Sequence, residues 1–328
     1  MMERRALLKK MVIIGFGSAL PLHTLSAGKP FAGAERPYHR FRLGDLELTV
    51  VTDGHIMMSP VQQHFAQDAP AAEVNKLLED NFRSTKAVDL GMNILIIKKG
   101  KDIILIDTGA GYGFGPDSGW LPASLKDAGI HVNDVTQIVI THAHPDHIGG
   151  LFTRDSKPVF PNAQVYIAAI EHQFWMSADK SDFSKSRFSD KELLAKILVS
   201  TKHTLAALKD RLHLFDHKEE LFGCIRLQLA AGHTPGHTLV KIFSGQEEMV
   251  HIADLLHSDV LLFPHPEWGF DGDTDFDMAA ITRRKVMEAL ALERTAVFSY
   301  HLPWPGIGHV RKKAGAYEWV AETYAFPA

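Results

Sequence analysis

One short stretch of the chain concentrates side chains that bind metal ions. Residues 141–150, THAHPDHIGG, contain His142, His144, Asp146 and His147. The preceding residues, QIVI at 137–140, are largely apolar and β-branched, which predicts a buried strand. The four side chains are therefore expected on a loop at the end of that strand. Their alternation lets His142 and His144 converge on one ion, while Asp146 and His147 project differently and can hold a second.

The types of these side chains favour catalysis over a purely structural metal. Structural zinc sites are usually built from cysteines or a cysteine and histidine mixture, whereas histidines with carboxylates leave room for water. Cys224 is the only cysteine, and its strand-like surroundings predict a buried, inert thiol. Metal-assisted hydrolysis is the first prediction.

The HxHxDH pattern followed by Gly149 and Gly150 resembles the signature of the metallo-β-lactamase superfamily. The resemblance extends over roughly residues 40–328. It implies that His237, in AGHTPGHT at 231–238, is the third ligand of the first metal, and that His233 supports the site from outside. It also implies that Asp254 bridges the two metals and that His301 completes the second.

The resemblance implies an α+β fold, the four-layer αβ/βα metallo-β-lactamase sandwich. The order of predicted elements agrees with it. A hairpin is expected at 40–51 around Gly44 and Asp45, a helix at 71–82, and strands at 92–98 and 102–106 that lead to Asp107. Asp107 is expected to orient the ligand loop. Further helices are predicted at 192–208 and 278–290.

Two aromatic residues are candidates for the substrate pocket. Phe114 lies in the glycine-rich loop at 109–119, and Trp175 lies in a helical region after a predicted strand at 164–168. Aromatic rings supply large, rigid contact area for an apolar ligand. An ordinary core position is an equal alternative for Trp175. The polar residues 178–191 predict a mobile insertion beside this helix.

Aspartates recur at four alternate positions in DGDTDFD at 271–277. The segment has Phe276 where the EF-hand rule requires glycine and Thr282 where it requires glutamate. A solvated turn that caps the following helix is the prediction.

Charge and the N-terminus restrict the class of partner. The formal net charge is −4 although the first 34 residues are basic, so the rest of the chain is acidic and a nucleic-acid partner is not expected. Arg4 and Arg5, an apolar run at 11–22 and Ala32-Gly33-Ala34 predict a twin-arginine-type signal peptide at 1–34. An uncleaved membrane anchor is the alternative. Residues 35–328 are then a single hydrolase domain, periplasmic or secreted, without stable membrane association after processing.

Within the superfamily, the leader, Phe174-Trp175 and the segment 301–309 resemble the methyl parathion hydrolase branch, with its lactonases and arylesterases. This implies a dinuclear metal-dependent hydrolase that cleaves lactones, aryl esters or phosphotriesters by attack of a metal-bridging hydroxide. Asp146 is the candidate to move the proton. Two Zn²⁺ ions are favoured, with Mn, Fe and Co open. A small-molecule substrate is expected, and the oligomeric state is left open, with a homodimer as one alternative. The alternative is a same-fold oxidoreductase that uses iron, similar to a persulfide dioxygenase.

Overall fold

The computed structural model of the protein describes residues 36–323, so the predicted signal peptide lies outside the described residues. Its first sheet joins seven strands in chain order. The first four are antiparallel and the last four run parallel. The strands are β1 (His39–Leu43), β2 (Leu46–Met58), β3 (Val88–Lys99), β4 (Asp102–Ile106), β5 (Gln137–Ile140), β6 (Gln164–Ala168) and β7 (Leu212–Phe215).

The second sheet also has seven strands, again in chain order from one edge to the other. Its only parallel pair within the described residues joins its fourth and fifth strands. The strands are β8 (Glu220–Leu221), β9 (Ile225–Leu229), β10 (Thr238–Ser244), β11 (Glu247–His251), β12 (Ala296–Phe298), β13 (Ile307–Lys313) and β14 (Ala316–Ala321).

Helices cover the outer face of each sheet. The α-helices are α1 (Val61–His64), α2 (Ala71–Asp80), α3 (Leu121–Asp127), α4 (Pro145–Ile148), α5 (Ala169–Ser177), α6 (Lys191–Leu208) and α7 (Phe276–Glu293). Short 3₁₀ turns occupy Val132–Asp134, Gly149–Leu151, Lys180–Phe183, Lys209–Arg211 and Ala253–Leu255. No helix among residues 36–323 has the length and apolar content needed to cross a membrane.

Alternation of side-chain direction along the strands explains how helices and sheets stack in layers. On β3, Leu95 and Ile97 join a core of residues from both sheets, whereas Ile94 and Ile96 join the core beneath α3, α5 and α6. Successive side chains of a strand point to opposite faces, so one apolar strand supplies two cores. A third core packs α2 and α7 against the second sheet. The predicted four-layer sandwich is confirmed.

The segment 178–191, which is predicted to be a mobile insertion, has local structure and packs against α5. Asp179 caps the 3₁₀ turn Lys180–Phe183 by accepting a hydrogen bond from the Ser181 amide at 2.6 Å. The Phe183 ring is buried and lies 5.9 Å from the Trp175 ring. This apolar contact packs the segment against α5, which a count of its polar residues does not reveal.

Candidate metal centre

A buried carboxylate shapes the loop after β5. Asp107 directly follows β4, which runs parallel to β5, so the ends of both strands meet at one edge of the sheet. Its two oxygens accept hydrogen bonds from the Thr141 amide at 2.8 Å and the Thr141 hydroxyl at 2.7 Å. His147 Nδ1 donates to Asp107 at 2.8 Å. Asp107 thus orients the ligand loop as predicted, and it leaves His147 Nε2 as the ring atom that faces Asp254 Oδ1 at 3.0 Å.

Three imidazole nitrogens form the first ligand group. His142 Nε2, His144 Nδ1 and His233 Nε2 form a triangle with sides of 3.1, 2.9 and 3.1 Å. Asp254 Oδ2 lies 3.3 Å from His233 Nε2 and 3.6 Å from His142 Nε2. Four ligands at about 2.05 Å from a tetrahedral zinc ion lie about 3.3 Å apart, so these atoms have the spacing of such a site.

The second ligand group shares Asp254. Its other members are Asp146, His147 and His301, and each group has its ligand atoms within 4.8 Å of one another. His301 Nε2 lies 3.4 Å from Asp146 Oδ2 and 3.2 Å from Asp254 Oδ2. His301 Nδ1 donates to the carbonyl of Gly91 at 2.8 Å, which leaves Nε2 as the ligand atom.

Two buried atoms show that the groups fit cations. His147 Nε2 and Asp254 Oδ1 have no hydrogen-bond partner among the described residues, yet they lie 3.0 Å apart. Leaving buried polar atoms unpaired costs about 1–3 kcal/mol each. A cation between them would satisfy both. Asp254 faces both groups, so the site is suited to two divalent metal ions whose repulsion one shared carboxylate reduces.

Nearby carboxylates raise the pKa of both histidines in the second ligand group. Burial lowers the pKa of His147, but Asp254, Asp146 and Asp107 raise it more, so it lies well above its usual value. For His301, burial lowers the pKa and the carboxylates of Asp254 and Asp146 raise it, to about 9. These positions attract positive charge, whether as protons or as metal ions.

His233 has a similar raised pKa of about 9, because Asp254 and Asp273 outweigh the effect of burial. Its Nδ1 donates to Asp273 Oδ1 at 2.9 Å, and the buried Arg283 donates to Asp273 Oδ2 at 3.1 Å. The predicted solvated turn at 271–277 is therefore wrong for Asp271 and Asp273, which are buried. Asp275 does cap α7, by accepting a hydrogen bond from the Met278 amide at 3.1 Å.

His237 does not join the atoms that the sequence assigned it to. Its Nδ1 donates to the carbonyl of Ala230 at 3.1 Å, and its Nε2 accepts from the Asp254 amide at 3.1 Å. Both ring nitrogens are thus bound to the backbone, and His233 supplies the third nitrogen. The placement corrects the assignment of these two histidines. Burial and the neighbouring His233 lower the pKa of His237 to about 3, consistent with a neutral supporting ring.

A cavity lies against both ligand groups and brings the predicted pocket residues together. Phe114 and Trp175 line it beside His144, Asp146, Asp254 and His301. Phe114 is 43% exposed. Trp175 is fully buried and donates its indole N–H to Glu171 at 2.7 Å, so it is both a core residue and the inner wall of the cavity.

Several residues that line the cavity were not predicted from the sequence. His257 lines the cavity, and its Nε2 lies 3.1 Å from Asp254 Oδ2. Phe270 stacks on His257 with ring centroids 4.1 Å apart. His257 follows Asp254 by three positions, and this short spacing was the available signal. The other apolar lining residues come from elements far apart in the chain, so no sequence spacing indicated that they lie together. They include Ile56, Met58, Leu90, Phe188, Leu194 and Ile197.

The fold and the two ligand groups define a dinuclear metal-dependent hydrolase. The family model of the metallo-beta-lactamase superfamily matches residues 88–318, and the chain belongs to this superfamily. A comparison with curated proteins found no match.

Solved structures agree with this assignment. The chain is similar to AidC, described as a dizinc quorum-quenching lactonase in complex with the product N-hexanoyl-L-homoserine. The two share 42% identity with a TM-score of 0.86, over 89% of this chain and 99% of AidC. It is also similar to the hydrolase AbOPH, at 31% identity and a TM-score of 0.79, over 89% and 99% of the two chains. A probable metal-dependent hydrolase from Staphylococcus aureus, at 18% identity and a TM-score of 0.67 over 87% and 100%, shares the fold.

Proposed function

We propose that this protein is a lactonase that opens lactones bearing an apolar substituent. The observation that carries the proposal is the cavity, whose lining combines polar members of both ligand groups with the apolar rings of Phe114, Trp175, Phe183 and Phe188. A lactone ring at the polar end would place its substituent along these walls. The likeness to a lactonase at 42% identity supports the same substrate class.

His142, His144, His233 and Asp254 would hold one cation, and Asp146, His147, His301 and Asp254 the other. Two divalent cations supply a nucleophile from water near neutral pH and polarise the carbonyl that it attacks. Zinc is our proposal, because neutral histidines with few carboxylates suit it and sulfur is absent from the groups. The description of AidC as a dizinc enzyme supports this choice.

Asp146 is the group that we assign to proton movement. Ring opening forms a bond from the water oxygen to the carbonyl carbon, breaks the bond from that carbon to the ring oxygen, and needs one proton on the alkoxide that leaves. Asp146 lines the cavity, and its side chain is 15% exposed, against 0–3% for its partners His147, His301 and Asp254. The Tyr300 hydroxyl fixes Asp146 by donating to its backbone carbonyl at 2.7 Å.

The charge of Asp146 suits an acceptor of that proton. Burial raises the pKa of Asp146, but His147 and His301 lower it more, so the carboxylate is ionised at neutral pH. Because its pKa is low, Asp146 would hold a proton from water only briefly and would pass it to the more basic ring oxygen.

The experiment compares substrates on purified protein whose metal content is measured. N-acyl homoserine lactones of increasing acyl length, a short unsubstituted lactone, an aryl ester and a phosphotriester form the panel. We expect the highest kcat/KM for lactones with longer acyl chains, with the ring-opened hydroxy acid as product. Rapid turnover of the phosphotriester or aryl ester, with no lactone opening by the metal-loaded protein, would contradict the proposal.

We also propose that the chain is exported by the twin-arginine route and acts outside the cytoplasm. The support is Arg4-Arg5 followed by the apolar run at 11–22. Replacing Arg4 and Arg5 with lysine should retain an unprocessed precursor in the cytoplasm, which fractionation and mass measurement detect. Unchanged export would contradict this route.

A further inference from the structure

We propose that Glu171 is the positioning residue of the first ligand group. This buried side chain of α5 joins the loop that carries His142 and His144 to the loop that carries His233. The inference rests on the two-metal centre proposed above but does not depend on the identity of the substrate.

Four hydrogen bonds carry the inference. Glu171 Oε1 accepts from the Ala143 amide at 2.9 Å and from the Trp175 indole at 2.7 Å. Its Oε2 accepts from the Thr234 hydroxyl at 2.7 Å and from the Gly236 amide at 2.8 Å. Ala143 lies between two of the ligand histidines, and Thr234 directly follows the third. One oxygen thus holds each ligand loop.

The chemistry of these contacts requires a carboxylate. All four partners are neutral donors, and a carboxylate has acceptor sites on both oxygens but no donor. Glu171 is fully buried, and none of its hydrogen bonds among residues 36–323 comes from a cationic group. Burial raises the pKa of Glu171 above its ordinary value, and the four donors offset part of that rise. Its negative charge next to the ligand loop also favours the binding of cations there.

The loop that carries His233 and Gly236 approaches the backbone of α5 closely at Glu171. A β-carbon placed on Gly236 would lie 2.5 Å from the Glu171 amide nitrogen and from its β-carbon. Glycine therefore lets the second ligand loop rest directly on the start of α5. This approach places the Gly236 amide within reach of the carboxylate.

Glu171 also connects the metal group to the wall of the cavity. The Trp175 indole is held by the same oxygen as the Ala143 amide, and its ring lies 5.6 Å from the His144 ring. A change at Glu171 should therefore alter both the first ligand group and the surroundings of Trp175.

The test uses Glu171→Gln in the full chain. Glutamine replaces one oxygen with an NH₂ group, which would face two donors instead of accepting from them, so one loop is released. We expect the metal of the first group to bind at least about tenfold more weakly, while the second group keeps its metal. Zn²⁺ competition against a chelator measures both steps, and Co²⁺ absorption reports the ligand geometry. Repeating the titration in His301→Ala, which weakens the second group, assigns the change to the first.

Two further variants separate positioning from general stability. Thr234→Val removes one donor from the second loop and should weaken the same metal in the same direction. Trp175→Phe removes a donor that belongs to neither loop, so its metal affinity should fall less than that of Thr234→Val. In metal-free protein, Glu171→Gln should speed hydrogen exchange at the Ala143 or Gly236 amide. A lower melting temperature with unchanged metal affinity in Glu171→Gln and Thr234→Val would overturn the proposal. Lack of lactone hydrolysis would leave these readouts unaffected.

Discussion

Asp254 and His147 face each other across 3.0 Å, from carboxylate Oδ1 to ring Nε2, and neither atom has a hydrogen-bond partner among the described residues. His147 is fixed by the first sheet through Asp107, whereas Asp254 follows β11 of the second sheet. The centre therefore lies where the ends of strands from both sheets meet. This relationship makes Asp254 the residue on which both ligand groups depend.

We expect Asp254→Ala to reduce the metal content from two ions to at most one per chain. It removes the only carboxylate common to both groups, and the two cations would then repel each other without a shared anion. Elemental analysis of the purified variant measures the content. Asp259→Ala is the control, because Asp259 pairs with the exposed Arg83 at 2.7 Å. Two tightly held ions in Asp254→Ala would rule out its bridging role.

Two variants, His233→Ala and His237→Ala, should show which of these histidines binds the metal and which only stabilises the surrounding backbone. His233→Ala should lose the metal of the first group, since it removes one of three nitrogens. His237→Ala should keep two metals but lower the free energy of unfolding by about 1–3 kcal/mol, because it unpairs both the Asp254 amide and the Ala230 carbonyl. Metal analysis and denaturant unfolding measure the two effects. The reverse pattern would restore His237 as the ligand.

Metal binding should release protons at pH 7.5. His233 and His301 have pKa values of about 9 in the metal-free protein, so both are protonated there and must lose a proton to bind a cation. Proton release should therefore shrink above pH 9, and metal affinity should rise from pH 7 to pH 9. Calorimetry in buffers of different ionisation enthalpy counts the protons. Equal release at pH 7.5 and 10 would contradict the assignment.

The same two histidines should make the stability of the metal-free protein fall as the pH rises, whereas the metal affinity should rise. Their pKa values are raised above the ordinary 6.5, so their contribution to stability is fully present below pH 6.5 and is lost as pH rises through about 9. The melting temperature of chelator-treated protein should fall over this range. His233→Ala should flatten the fall, whereas a melting temperature that rises from pH 6.5 to 9 would refute the expectation.

Phe114→Ala should reduce kcat/KM for long-chain lactones by about threefold to tenfold, while short-chain lactones change little. Phe114 is partly exposed at the cavity wall, and loss of its ring removes about 1 kcal/mol of apolar contact. Tyr112→Ala is the matched control on the same loop, because Tyr112 lines a separate cleft in which Arg154 lies 5.3 Å from the centre of its ring. A similar loss in both variants would indicate an effect on the loop as a whole.

The sequence determined the fold and the order of the ligand-bearing strand ends. Strands β4 and β6 have the bounds that were predicted, and α2 ends two residues earlier than expected. These features follow from local pattern, since strand alternation, helical spacing and turn residues are properties of neighbours in the chain. For the same reason His142, His144, Asp146 and His147 could be found as one motif.

The tertiary structure decided what depends on contacts between distant segments. His233 and His237 are four residues apart on one turn, and only the positions of Asp254, Asp273 and Ala230 decide which ring joins the metal group. Two aspartates predicted to be solvated are buried, because Asp273 pairs with Arg283 of α7 and Asp271 with His64. Trp175 is both core and cavity wall for a similar reason. Directions of side chains at the meeting point of two sheets are set by packing, and no local spacing encodes them.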